Sequence, residues 1–163
     1  MAITRTVDTD DDGTGTTGTI HNNAWLQAIY AAIENWESDS YTPAMQGSGS
    51  NPTLSAAVGT YLQIGDLVVF RAKCTISTVG SGSYFVTLPV TADGTIGANI
   101  SVFVQDASPA ATYVAGGYLD TTARAGLFMV NGTTYASVAM THVNPITFAS
   151  GDIITVFGTY FAA

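Results

Sequence analysis

The stretch that decides the fold is Leu67-Val-Val-Phe-Arg-Ala-Lys-Cys-Thr-Ile76. Apolar side chains occupy every second position of Val68–Ile76, and Arg71, Lys73 and Thr75 alternate with them. A period of two residues places the apolar set on one face of a β-strand and the polar set on the other. We therefore predict a strand with one face in the core and one face directed outward.

A hairpin is predicted immediately before this strand. The dipeptide Gly65-Asp66 separates it from a second strand-like run, Thr60–Ile64, and two turn-forming residues in that position are typical of a β-hairpin. Further strand-like runs follow, separated by residues that favour turns. These runs are Tyr84–Leu88, Asn99–Gln105, Thr112–Leu119, Ala123–Val130, Tyr135–Met140 and Ile153–Phe161.

The spacing of these runs predicts the fold class of residues 41–163. Asn131-Gly132 is the strongest two-residue turn signal among them, and no second helical pattern alternates with the strands. A parallel α/β sheet is therefore excluded. About eight antiparallel strands predict a mainly β domain, an antiparallel β-sandwich of jelly-roll-like type.

The first 37 residues carry two other patterns. Asp8–Gly18 contains no apolar residue, so it cannot form a core, and we predict that residues 1–22 are an extended N-terminal attachment arm. Residues 23–37 form the one amphipathic helix that we predict, capped by Asn22 or Asn23. Its apolar stripe either covers the sheet of the same chain or bundles with symmetry mates. As a predicted assembly interface, the stripe consists of Trp25, Ile29, Ile33 and Trp36.

The composition favours a protein that stands in an assembly. Only 10% of the 163 residues are charged, whereas 47% are hydrophobic, and a soluble domain usually has about a quarter of its residues charged. The cores of protein interfaces are depleted of charge in the same way. We interpret the deficit as burial of outer surface against other subunits. The alternative is a secreted or halotolerant monomer with a hydroxyl-rich surface.

Charge and hydropathy exclude several classes of partner. With a net charge of −8 and four basic residues, the chain lacks the clustered Lys and Arg that nucleic acid and anionic membranes require. The longest apolar runs are far shorter than the ~20 residues of a membrane span. Because no signal peptide is evident, we expect the protein to remain in the cytoplasm where it is made unless a larger assembly carries it out.

Metal and cofactor sites are weakly represented. Asp8, Asp10 and Asp12, followed by Gly13, match the first half of a calcium-binding loop, but Thr19 stands where the bidentate Glu is required. The three carboxylates are therefore a weak metal candidate, and the alternative is a solvated acidic linker. The two histidines, His21 and His142, lie far apart and have no Cys or carboxylate at metal-ligand spacing. We predict no cofactor.

Catalytic residues are not evident either, and we predict that the protein is not an enzyme. The single cysteine, Cys74, lies on the apolar face of its strand and is interpreted as a small core residue. We interpret six aspartates as turn residues, namely Asp39, Asp66, Asp93, Asp106, Asp120 and Asp152. Five aromatic residues could form a sugar-binding platform, although strand aromatics more often pack in cores or interfaces. They are Tyr113, Tyr118, Phe128, Tyr135 and Phe161.

Two parts of the chain resemble phage structural proteins. Gly13–Trp25, which leads into the predicted helix, is similar to the N-terminal segment of many small phage structural proteins. Tyr41–Leu54 and Gly59–Arg71 resemble the opening of phage tail-fibre, head-fibre and minor structural β-domains. The similarity spans residues 13–76 and carries no catalytic residues.

The resemblance implies a trimeric β-sandwich that is attached to the virion by its N-terminal part. The expected function is that of a homotrimeric capsid decoration or cement protein, or a head fibre, made in the host cytoplasm and located in the virion. Its expected partners are its own copies and the major capsid protein or another virion protein. The alternatives are a tail-fibre or receptor- and glycan-binding module of the adsorption apparatus, and an enzyme such as a capsule depolymerase.

Overall fold

The computed structural model describes residues 29, 31, 38–108, 110–130, 134 and 136–163. The chain divides into two compact units, Met1–Ser38 and Asp39–Ala163. Of the predicted helix 23–37, only Ile29 and Ala31 are described, and both have helical backbone. The predicted arm 1–22 and the remainder of the helix lie outside the described residues, so both stay predictions.

The described residues of the second unit confirm a mainly β, antiparallel fold. They form ten strands, most of them rich in the β-branched and aromatic residues that favour extended backbone. The strands are β1 Asp39–Tyr41, β2 Met45–Gly47, β3 Thr53–Ile64, β4 Leu67–Thr78, β5 Tyr84–Thr87, β6 Asn99–Asp106, β7 Ala111–Thr121, β8 Arg124–Val130, β9 Ser137–Ala139 and β10 Ile153–Phe161.

All ten strands belong to one curled sheet. Hydrogen bonds join them in the order β1-β3-β4-β10-β6-β7-β8-β5-β2, and β9 pairs with the 128–130 end of β8. The outermost strands, β1 and β2, are linked by residues 42–44 alone, and so short a link spans at most about 14 Å. The sheet therefore curls until its two ends approach each other. Because one path of hydrogen bonds joins the strands, the two-sheet, jelly-roll-like arrangement stays a prediction.

The predicted hairpin between β3 and β4 is confirmed. Ile64 pairs with Leu67, and Gly65 has a φ of +57°, a left-handed conformation that favours glycine in such a turn. Strand β3 begins at Thr53, well before the predicted start at Thr60, and register shifts interrupt its pairing around Leu54. Small residues in that segment weaken the strand signal in the sequence.

The remaining strands agree with the prediction except at short elements. The runs predicted after the hairpin correspond to β5–β10, with ends that differ by a few residues. The short strands β1 and β2 were not predicted, because three residues carry almost no periodicity. Strands β8 and β9 do pair, but residues 131–136 connect them. Asn131-Gly132 lies outside the described residues.

The core lies against the inner face of the sheet. The alternating residues of β4 predicted to be buried, Val68 to Ile76, are at most 2% exposed, which confirms that prediction. Cross-strand register continues these rows into β10 and β6, where Cys74, Ile154 and Val104 lie side by side. Burial of each large aliphatic side chain contributes about 1.5–3 kcal/mol.

Two polar side chains tie loops to this core. The Asp152 carboxylate, which is 1% exposed, accepts hydrogen bonds from the backbone N–H groups of Ala149 at 2.7 Å and Ala107 at 2.9 Å. The Tyr160 hydroxyl donates to the Val90 carbonyl at 2.7 Å and accepts from the Val90 N–H at 3.1 Å. Each contact satisfies backbone groups that the sheet does not pair.

Candidate functional site

The residues proposed from the sequence as sites fall largely outside the described part of the chain. The weak metal candidate Asp8, Asp10 and Asp12 is not described. Of the predicted assembly interface on the helix, Ile29 is described and half-buried. Trp25, Ile33 and Trp36 lie outside the described residues, so that interface stays a prediction.

Cys74 and His142 are both described and are held in the interior or by a backbone contact. Cys74 is fully buried, and burial raises the pKa of its thiol to about 11, so it is protonated at neutral pH. The His142 Nδ1 accepts a hydrogen bond from the Gly82 N–H at 3.2 Å. Asp39 and Asp120, predicted at turns, lie instead within β1 and β7.

The described ranges contain neither a metal-ligand cluster nor a membrane-spanning helix. Within them, no group of three or more His, Cys, Asp or Glu side chains could hold a metal ion. No helix in the same ranges has the length and apolar character needed to cross a membrane.

The outer face of five adjacent strands, β3, β4, β10, β6 and β7, carries most of the exposed large apolar side chains among the described residues. Val114 is 69% exposed and Val58 is 64% exposed. We call this surface the outer patch. It consists of Val58, Ile64, Leu67, Val69, Phe103, Val114, Tyr118, Phe157 and Phe161.

Strand register brings members of the outer patch together in two groups. Ile64, Leu67 and Phe161 are direct cross-strand neighbours on β3, β4 and β10. Further along the same face, the Phe103 and Phe157 rings stack with centroids 5.6 Å apart and planes inclined by 19°. Such a pair holds its own geometry, because stacked aromatic rings contribute about 0.5–1.5 kcal/mol beyond their burial. These two rings therefore support each other within the patch.

Glycines extend the patch toward β8. A Cβ atom added at Gly126 would meet the Tyr118 ring, and one added at Gly116 would meet the Phe128 ring. Both rings therefore lie close against the sheet backbone, which only glycine permits here. Of the five aromatic residues considered for a sugar platform, Tyr118, Phe128 and Phe161 are on the outer strand positions. Tyr113 packs toward the core, and Tyr135 is not described.

A basic cleft interrupts the apolar surface on β3, β4 and β10. It encloses about 450 Å³. Arg71 and Lys73 provide its charge from consecutive outward positions of β4. Neither side chain has an ion pair within the described ranges. The cleft is lined by Val58, Gly59, Thr60, Arg71, Lys73 and Thr155.

Arg124 shows the contrasting arrangement of a cation with partners. Its Nε lies 2.6 Å from the Asp120 carboxylate and its Nη1 donates to the Gln46 side chain at 2.8 Å. The guanidinium also stacks over the Phe85 ring at 4.1 Å. These contacts join β8, β7, β2 and β5, which is a structural role. Arg71 and Lys73 have no comparable partners on their own chain among the described residues.

Comparison of the chain with protein-family models, with curated proteins and with solved structures finds no match.

The outer patch and the basic cleft were not predicted from the sequence. A usable signal existed, because Leu67–Phe70 and Val102–Val104 are unbroken apolar runs in which the outward position is also apolar. Strict alternation is typical of an outer face that contacts water, whereas apolar residues at successive positions are typical of strands with both faces covered.

Proposed function

We propose that this protein is a bacteriophage virion structural protein, a homotrimeric capsid decoration or cement protein or a head fibre. In this proposal its N-terminal segment anchors it to the major capsid protein or another virion protein, and it has no catalytic activity. The proposal includes the arm 1–22, the helix 23–37 and the jelly-roll-like arrangement of residues 41–163. Its phage assignment and trimeric state rest on the resemblance of the sequence patterns in residues 13–76 to those of phage structural proteins, and no match to a known protein supports them.

The observation that carries the assembly role is the outer patch. Single exposed apolar residues are common on soluble proteins, but contiguous exposed apolar surface marks an interaction site. Here the patch spans five neighbouring strands of a chain in which only 10% of residues are charged. Contact between copies through this face would remove its apolar side chains from water, which is the main favourable term in association.

Light scattering of the full chain after size exclusion tests the assembly role. We expect a trimer for the wild type and for Val143→Lys, because Val143 is 55% exposed but lies outside the patch. Val114→Lys puts a charge into the outer patch, which contact between copies would bury, so this variant should dissociate. A monomeric wild type at micromolar concentration, or equal behaviour of both variants, would contradict the proposal.

The virion location has its own test. Mass spectrometry of purified virions of the phage that encodes this chain should detect the chain in many copies per particle. Deleting residues 1–37 should leave the β-domain folded but absent from the particles. Particles that lack the full-length chain would exclude the virion role without bearing on the oligomeric state.

A glycan-binding function at a fibre tip is the second candidate, favoured by the exposed aromatic rings. Tyr118 is 46% exposed and Phe161 is 42% exposed, and flat exposed rings suit the apolar faces of sugars. A glycan array probed with the purified protein would show binding that Tyr118→Ala abolishes. If no glycan on the array binds, the glycan-binding function is contradicted and the assembly role remains the proposed function.

A further inference from the structure

We propose that the basic cleft binds an extended acidic polypeptide segment with carboxylates at alternate residues. This inference deepens the proposed function, because it names the chemistry of the partner at the outer patch. It rests on that function in one respect, namely that the outer face is a contact surface for another molecule. The ligand class follows from the charge, the spacing and the walls of the cleft.

The charge of the cleft is exceptional for this chain. The protein has a net charge of −8 and four basic residues, of which Arg71 and Lys73 are two. Their direct cross-strand neighbours are uncharged: Thr60 and Phe157 lie beside Arg71, and Val58 and Thr155 lie beside Lys73. The two like charges on one face repel each other, and an anion bound near both would offset this repulsion. The cleft therefore favours an anionic partner.

The spacing of the two cations selects an extended chain. Residues two apart on one strand are separated by about 6.6 Å, and both side chains point to the same face. A partner in extended conformation presents its own carboxylates with the same period. Each arginine or lysine can then make a charge-assisted hydrogen bond to a separate carboxylate. Carboxylates adjacent in sequence point to opposite faces and would engage one cation alone.

The walls of the cleft determine how the segment is held. Strand β4 is paired on both sides, by β3 and β10, so its backbone has no free edge to which a strand could be added. Recognition must therefore come from side chains. The hydroxyl groups of Thr60 and Thr155 lie at the cleft and can bond polar groups, and Phe157, stacked on Phe103, offers an apolar surface beside it.

The chain's own sequence contains the required pattern. Asp8, Asp10 and Asp12 alternate with other residues, and Val7–Gly13 as a synthetic peptide is therefore one probe of the right chemistry. A simpler probe is a peptide in which Thr and Asp alternate. The matched control has the same composition with all Asp residues adjacent, so the two peptides differ in spacing and not in charge.

Fluorescence anisotropy of the labelled peptides with full-length protein tests the proposal. We expect saturable binding of the alternating peptide that weakens as ionic strength rises to about 0.15 M. Arg71→Gln and Lys73→Gln should each weaken binding about tenfold, the loss of one charge-assisted hydrogen bond. Arg5→Gln removes the same charge elsewhere in the chain and should leave binding unchanged. Thermal unfolding will verify that all three variants fold.

Three results would overturn the proposal. They are no saturable binding of the alternating peptide, equal binding of the adjacent-Asp control, and tighter binding of an acidic oligosaccharide such as oligogalacturonate. Oligomeric state separates this inference from the proposed function. A trimer that ignores the peptides defeats the cleft proposal alone, whereas a monomer that binds the alternating peptide defeats the assembly role alone.

Discussion

Both faces of β4, β6 and β10 carry large apolar side chains, but those on one face are buried and those on the other are exposed. On the inner face, Val68 and Val102 are fully buried. On the outer face, Val69 is 42% exposed and Phe103 is 39% exposed. An apolar side chain is therefore buried or exposed according to the face on which it lies. The faces differ in what covers them. The inner face is covered by the curled sheet itself, and no described residues cover the outer face.

Polar groups show the same contrast. Where polar side chains reach the interior, at Asp152 and Tyr160, they bond to backbone groups of neighbouring loops. The outer cations Arg71 and Lys73 have no such partners in the described residues. The exposed apolar side chains and the unpaired cations of this face are the basis of the proposal that another molecule covers it.

The largest expected effect comes from placing a charge on β4. Adjacent positions of this strand point to opposite faces, so the same substitution at each position compares the two faces. Val68→Asp buries an unpaired carboxylate and should cost at least about 4 kcal/mol of the free energy of unfolding. Val69→Asp places the same group outward, and in the Val114→Lys background, where copies should not associate, it should change that free energy by less than about 1 kcal/mol. Urea unfolding followed by circular dichroism measures both. Equal losses would show that the outer face is also closed within one chain.

The next effect concerns the buried carboxylate that ties two loops to the inner face. Asp152→Ala leaves the N–H groups of Ala149 and Ala107 without acceptors, and we expect a loss of about 3 kcal/mol. Asp106→Ala is the matched control, since Asp106 accepts one local bond from the Ser108 N–H at 3.0 Å. The control should lose less than about 1 kcal/mol. A smaller loss for Asp152→Ala than for the control would contradict this role.

Much of the β-domain could be predicted from the sequence, for identifiable reasons. The β3–β4 hairpin was predictable because Gly65-Asp66 is a local turn signal and β4 alternates along its length. Strands β1 and β2 were not, since their pairing with β3 and β5 depends on distant partners. The single curled sheet was also beyond reach, because strand order is set by long-range pairing that no local pattern records.

The candidate site was less predictable than the fold. The sequence indicates that Arg71 and Lys73 face outward, but not that their neighbours across β3 and β10 are uncharged. The sequence-based prediction therefore placed assembly on the helix stripe of Trp25, Ile29, Ile33 and Trp36. The low content of charged residues led us to predict that some face of the protein is covered. Only the strand register shows which described residues gather on one face.

The smallest expected effect concerns the pH at which the folded chain begins to lose stability. Burial raises the pKa of Tyr160 to about 12, whereas an unfolded tyrosine titrates near about 10. The folded chain keeps this proton while the unfolded chain loses it, so stability is complete below about pH 10 and declines as pH rises toward about 12. Burial likewise raises the pKa of Tyr41, Tyr84 and Cys74, which adds to the decline.

Tyr160→Phe separates the contribution of this one hydroxyl. At neutral pH the variant should lose about 1–2 kcal/mol, because the Val90 N–H and carbonyl lose their partner. Above pH 10 the variant should lose stability less steeply than the wild type, since one proton difference between the folded and unfolded states is gone. Urea unfolding at several alkaline pH values measures both slopes. Parallel slopes would mean that Tyr160 ionises as readily in the folded chain as in the unfolded one, and that its side of the sheet is open to water.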